Sequence, residues 1–365
     1  MSAKYNYKVK EGKMYTDKKI SRRGILKAGL TAAAIGVTSL AARPAKAAGK
    51  SLTLRMQTHW STGSEYYQKT YVNFAKRVEE ASNGELKIKP LPPGTVVPTT
   101  SVLEATGRGT LDLGFLYPAY WIGQIPVAGH LNGQLATWDN FEEMWFFMNE
   151  MGALDIIREA YAEHGLFSLG PVSCGVLTLW TKKPIVKPGD FKGVKVRSTG
   201  IPAKVFQKLG ATPVFFPGEE LYQALQTGVC DAAHWGSVYG GWEMKLQEVT
   251  NYIIQPNLAN QTNVEIFINK KVWDGLPKDL QRILLDCTLA ASADNNALFR
   301  YNDFLDIELF KKEYKGKISN LDPEAVSLMR KYSLEVIDEY SKMDPKYCGK
   351  VGLLMHKFLE ITGKI

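Results

Sequence analysis

Apolar residues alternate at Leu52, Leu54 and Met56, the period of a half-buried strand, and lead into a polar loop, His59-Trp60-Ser61-Thr62-Gly63. Tyr67, Tyr71, Phe74 and Val78 then recur at helical spacing until Asn83-Gly84, a pair that stops helices because both residues accept left-handed backbone. Leu86, Ile88 and Leu91 predict a second strand, closed by Pro92-Pro93-Gly94. A short helix is expected over 100–107, and the unbroken apolar run 111–116 suits a buried parallel strand. Thr137 to Glu163 reads as one long helix with an aromatic face of Trp138, Phe141, Trp145 and Met148.

From about residue 166 the alternation restarts. Strands are predicted at 175–181, 192–197, 212–216, 229–235 and 264–269, and helices at 201–209 and 218–227. Pro277 opens a helical stretch running to Tyr314, Asp322-Pro323 is an N-cap with proline in the first turn, and a last helix begins near Pro345. Strand–helix alternation predicts an α/β fold with mainly parallel sheets and helices on both faces. The pattern A-x-x-x-G-x-x-D occurs at Ala105–Asp112 and again at Ala224–Asp231, each a helix end, a glycine stop and an entry into an apolar strand. With the restart near 166, it predicts two similar lobes rather than one large sheet. Ligands in such folds gather at the carboxyl ends of strands and between domains.

Charge changes the picture of the first 47 residues only. The 365-residue chain has a formal charge of +8, but residues 1–47 carry eleven Lys/Arg against Glu11 and Asp17, so everything after them is near −1. A near-neutral body removes the electrostatic argument for nucleic acid as a partner. The basic stretch ends in Ser21-Arg22-Arg23-Gly24-Ile25-Leu26-Lys27, is followed by fifteen uncharged residues, Ala28 to Ala42, and closes on Ala45-Lys46-Ala47. That is the order of an export signal, and its paired arginines resemble the twin-arginine motif. The mature protein is expected to begin near Ala48 and to work in the periplasm. Cys174, Cys230, Cys287 and Cys348 lie 56 to 61 residues apart with no C-x-x-C pair, so zinc and redox motifs are absent, and free thiols are expected.

The usual signatures of catalysis fail together. None of His59, His130, His164, His234 and His356 has a second His or a Cys at metal-ligand spacing. Gly236-Ser237-Val238-Tyr239-Gly240 sets its serine one place too early for a nucleophile elbow. No phosphate-binding glycine loop appears, and Gly107-Arg108-Gly109 precedes its strand instead of following it.

What remains is the stretch 192–237: Lys195-Val196-Arg197-Ser198-Thr199-Gly200, then Leu209-Gly210-Ala211-Thr212-Pro213-Val214, then Glu220-Leu221-Tyr222-Gln223-Ala224-Leu225-Gln226-Thr227-Gly228-Val229-Cys230-Asp231-Ala232-Ala233-His234-Trp235. With Tyr120-Trp121 and Ile268-Asn269-Lys270 before Leu276-Pro277-Lys278-Asp279-Leu280, it resembles the substrate-binding proteins of TRAP (tripartite ATP-independent periplasmic) transporters, in their keto-acid or monocarboxylate branch. The resemblance implies a two-lobed fold like the type II periplasmic binding proteins, with a hinge and a long connecting helix. Lobe I would be 48–172 with 258–300, and lobe II 173–257 with 301–365, including the C-terminal helices.

It further implies that Arg197 grips the carboxylate of a small organic acid through paired hydrogen bonds, a task suited to a guanidinium. Read from the residues alone, Arg197 is first a solvated strand-end arginine. Trp235 is implied as a pocket wall, with a core tryptophan as the alternative, and Tyr120 as a hydroxyl donor; His59 and Trp60 would form the opposite wall. The branch that co-binds a metal cation carries Glu just before this tryptophan, whereas this chain has His234. A neutral imidazole does not offset a cation's charge, so no cofactor is expected and a bound metal is disfavoured. His234 would donate to the ligand or add positive charge beside a diacid; a satisfied buried histidine is the alternative. The partners implied are the acid itself, the small and large TRAP membrane subunits, and a second copy through the C-terminal helices. An exported cofactor-containing enzyme and a ligand sensor are the rival functions.

Overall fold

The computed structural model describes residues 8–10, 13–15, 51–132, 134–216 and 218–365. Within the first 49 residues, a unit of its own, strands β1 (Lys8–Lys10) and β2 (Lys13–Tyr15) pair as an antiparallel hairpin. The remainder of the export-signal reading of 1–47, the paired arginines included, lies outside the described residues.

Residues 50–365 form the second unit, built on two mixed sheets. The five-stranded sheet has the order β4-β3-β5-β12-β6, from β3 (Leu52–Thr58), β4 (Leu86–Leu91), β5 (Leu113–Leu116), β6 (Leu166–Ser173) and β12 (Asn263–Asn269). The six-stranded sheet is ordered β13-β11-β7-β10-β8-β9, from β7 (Leu177–Thr181), β8 (Lys195–Arg197), β9 (Thr212–Val214), β10 (Ala232–His234), β11 (Tyr252–Ala259) and β13 (Lys317–Asn320). The expectation of mainly parallel sheets is corrected. The parallel pairs are β3 with β4 and β5, β8 with β9 and β10, and β11 with β13, while β12 runs antiparallel to β5 and β6, and β7 to β10 and β11. The reason is topological. The chain passes from one sheet to the other through β6 and β7 and returns through β11 and β12, so each sheet receives strands arriving from the opposite lobe.

The two crossings lie side by side. The Cys174 amide donates to the Thr262 carbonyl at 2.8 Å, and the Thr262 amide donates to the Gly175 carbonyl at 2.8 Å. Gly175 has φ +74°, and a Cβ there would stand 2.9 Å from the Cβ of Phe299, so no larger residue fits this passage. A third connection is the helix Lys278–Glu313, whose Leu284, Cys287 and Ala291 join the core beneath the first sheet and whose Phe310 meets Trp180 in the core of the second.

Two other expectations need correction. The single helix over 137–163 is two helices, Phe141–Trp145, continued by a wide π turn over Phe146–Glu150, and Ala153–Ala162. Asn140 caps the start by accepting the Glu143 amide, and Gly152, at φ +81°, breaks the run. Strands β6 and β11 were not anticipated as strands; each contains a proline, Pro171 and Pro256, which masks the pattern. The helices opening at Asp322 and near Pro345 are present as Pro323–Met343 and Cys348–Ile361. The first packs on Gly200–Lys208, in the second lobe, whereas the second packs on Ala153–Ala162 beside the first sheet, so the C-terminal helices straddle the lobes. All four cysteines are buried free thiols. Among the described residues no helix is long and apolar enough to cross a membrane.

Candidate functional site

The carboxyl ends of β8 and β10 point the same way because the strands are parallel, with Arg197 opposite Ala233. Arg197, His234 and Trp235 therefore leave the second sheet together. Gly218 makes room for the indole, since a Cβ there would lie 2.4 Å from the Trp235 ring. The guanidinium lies 4.6 Å from the Trp235 ring centroid and 5.9 Å from that of Phe215, and its Nη2 donates to the Phe216 carbonyl at 3.3 Å. Arg197 is only 5 % exposed, its Nε has no partner, and among the described residues no carboxylate pairs with it. Burial pushes its pKa below the ordinary arginine value.

His234 is buried beside it. Its Nδ1 is 3.3 Å from the Ser198 hydroxyl, Phe206 stacks edge-on at 5.3 Å, and Nε2 has no partner. Burial, reinforced by the Arg197 charge, lowers its pKa to about 3. His234 is therefore neutral in the ligand-free protein at physiological pH.

The first lobe supplies the facing wall. Thr58, at the end of β3, donates its hydroxyl to the Phe115 carbonyl at 2.9 Å and accepts the Trp60 amide at 3.4 Å, which fixes the entry to the His59-Trp60 loop. His59 packs against Trp60 at 4.9 Å and edge-on against Tyr120 at 5.7 Å; its Nδ1 has no partner, and burial lowers its pKa to about 3. Tyr120 stands in the 3₁₀ turn Pro118–Trp121 after β5. Trp121 anchors that turn, donating to the Tyr161 hydroxyl at 2.6 Å, and Tyr161 with Ser168 donates to the buried Glu265. Burial raises the Glu265 pKa to about 8.

These groups enclose a cavity of about 260 Å³ between the lobes. All six nominated residues, Arg197, Trp235, Tyr120, His234, Trp60 and His59, line it. Sequence reasoning missed Tyr66, Tyr117, Thr199, Glu243, Met244 and Thr262, which line it too. Tyr117 was within reach, three places before Tyr120 in the same turn. Tyr66 was not, because it precedes the apolar rhythm that begins at Tyr67 and reaches the site only through tertiary packing. Its hydroxyl enters the other lobe, bonding Ser237 and lying 2.6 Å from where a Cβ on Gly240 would be. Nearby, the Glu65 amide donates to Glu243 Oε1 at 2.8 Å, a second link between lobes. Burial pushes the Cys174 thiol up to about 12, which leaves it inert as a nucleophile. The arrangement is one buried cation with no carboxylate partner among the described residues, set among neutral imidazoles, hydroxyls and aromatic faces, with Glu243 also in the lining. It can hold a small organic anion by charge-assisted hydrogen bonds in a largely dehydrated site.

The family model described as "Bacterial extracellular solute-binding protein, family 7" matches residues 56–343. A relative from Nostoc sp., named a monocarboxylate 2-oxoacid-binding periplasmic protein, is 28% identical over 323 residues, 87% of each chain. A TRAP periplasmic solute-binding protein from Rhodobacter sphaeroides, solved in an apo open form, is 25% identical with TM-score 0.72, covering 86% of this chain and 99% of that one. Another from Pseudoalteromonas atlantica, solved with bound sodium and pyruvate, is 23% identical with TM-score 0.78, covering 86% and 96%.

Proposed function

The chain belongs to the family 7 bacterial extracellular solute-binding proteins, the binding components of TRAP transporters for small organic acids, and from that premise we propose that its own ligand is a 2-oxo or 2-hydroxy monocarboxylate gripped by Arg197. The carrying observation is the buried guanidinium, which has no carboxylate partner among the described residues. One permanent charge suits one carboxylate. A cavity of about 260 Å³, at or just below the usual range for drug-sized ligands, suits a molecule of few heavy atoms. The neutral His59 and His234 offer no second charge for a diacid. The name of the Nostoc relative agrees with this class.

Binding works without covalent chemistry. The anion contacts Arg197, His234 and Trp235 from one lobe and His59, Trp60 and Tyr120 from the other, so only the closed form satisfies all of them, and ligand shifts the equilibrium towards closure. The closed protein then presents the acid to the small and large membrane subunits. We take lobe I as 48–172 with 258–300 and lobe II as 173–257 with 301–365, the last helix lying back across lobe I. Export through the twin-arginine route to the periplasm accounts for the Ser21–Lys27 stretch, and the straddling C-terminal helices are the surface for a homodimer.

A thermal-shift screen of purified protein against 2-oxo acids, 2-hydroxy acids, dicarboxylates and amino acids tests the ligand class. A monocarboxylate well above its dissociation constant is expected to raise the melting temperature by the equivalent of about 2–4 kcal/mol. A response confined to dicarboxylates or amino acids would refute it.

A further inference from the structure

We propose that this site captures its organic anion without a metal ion, with the imidazole of His234 and the guanidinium of Arg197 together supplying the donors that a cation-assisted site would divide between protein and metal. This rests on the function proposed above and concerns how the same cavity recognises its ligand.

Hard cations take several oxygen ligands, carboxylates prominent among them. Among the described residues lining the cavity, Glu243 is the only carboxylate, and it already accepts the Glu65 amide across the lobes. Among the described residues no group of three His, Cys, Asp or Glu side chains is placed to hold a metal ion. The other oxygen-bearing side chains of the lining are neutral hydroxyls, Ser61, Ser64, Tyr66, Tyr117, Tyr120, Thr199 and Thr262. A cation would also have to settle in a cavity that holds the positive charge of Arg197. The donor set fits a bare anion instead.

Arg197 and His234 stand at the carboxyl ends of the adjacent parallel strands β8 and β10, and both line the cavity. Ser198 holds Nδ1 at 3.3 Å and leaves Nε2 without a partner, as Arg197 leaves Nε. An anion selects the tautomer with the proton on Nε2, while the Ser198 hydroxyl donates to Nδ1. Two buried unpartnered nitrogens on adjacent strands then become donors to one ligand, and each gains the hydrogen bond it lacks. The sodium-and-pyruvate relative shares the fold, but the donor set here does not fit its cation.

The test is calorimetric titration of pyruvate, and of a longer 2-oxo acid, into protein stripped with a chelator in sodium-free buffer. The titration is repeated with sodium or calcium chloride, choline chloride matching the ionic strength. The dissociation constant is expected to change by less than about fivefold, and a larger gain with either cation overturns the proposal. His234→Ala is expected to weaken binding about tenfold or more in both buffers; wild-type affinity in that variant also overturns it. Calcium titrated into the ligand-free wild type separates this proposal from the function it rests on. Saturable heat overturns cation independence and its absence supports it, even if no 2-oxo acid binds, the result that would instead refute the ligand class.

Discussion

A guanidinium held 5 % exposed, with no carboxylate partner among the described residues, destabilises the ligand-free protein, because among those residues its dehydration is offset by one carbonyl and two aromatic faces. Arg197→Met is therefore expected to raise the melting temperature of the empty protein while abolishing ligand-induced stabilisation; a variant less stable than the wild type would count against this reading. His234 makes a pH prediction. Its native pKa of about 3 lies below the ordinary value of about 6.5. The unfolded chain thus binds the extra proton between those limits, and the contribution to stability is complete above about pH 6.5 and lost as pH falls towards 3. Melting curves of His234→Gln are expected to decline less steeply over that window than those of the wild type, and parallel declines would contradict the assignment. Arg197, Trp235 and Tyr120 could be nominated because each ends or follows a strand within a recognisable stretch of sequence. Tyr66 and Glu243 could not, since nothing local marks a helical residue that acts across an interlobe gap.

Between elements, the contact that seals the lobes is Tyr66 against the loop and helix that begin at Gly236. Gly240→Ala would put a Cβ 2.6 Å from the Tyr66 hydroxyl. The overlap is expected to cost the closed form about 1–3 kcal/mol, weakening ligand binding roughly ten- to hundredfold, and adding Tyr66→Phe should recover most of the loss. Affinity unchanged in Gly240→Ala would show that the lobes do not meet there. Behind this contact Asp303 accepts the Tyr239 amide at 2.8 Å, and burial raises it to about 7 and its neighbour Asp306 to about 6, the latter also through the charges of Asp303, Glu243 and Glu65. Here the sign is opposite. The native state holds the protons, so stability falls as pH rises from about 4 to about 7. Asp303→Asn, which keeps the acceptor, is expected to flatten that fall in thermal melts; an unaltered slope would place the titration elsewhere. The capped helices and the parallel strands were readable from period and punctuation, as Asp322-Pro323 and the stretch around Arg197 illustrate. The crossings β6 and β11 were not, because Pro171 and Pro256 break their pattern and because their partners are distant in sequence.

At the scale of the whole molecule, the restart near residue 166 pointed to two lobes, but not to the exchange of strands that makes both sheets mixed, nor to the final helix packing beside the first lobe. Those depend on long-range pairing that no local window carries. The charge division did carry over. With the excess positive charge concentrated before residue 48, the rest of the chain is close to neutral, so attraction for an anionic ligand has to come from the local field of the cavity rather than from the molecule's net charge. The direct measurement is therefore calorimetric titration of pyruvate into the wild type and into Arg197→Ala, side by side above pH 7. Saturable one-to-one binding in the wild type and a loss on the order of 100-fold or more in the variant are expected. Equal affinity in the two proteins would contradict capture of a carboxylate by Arg197.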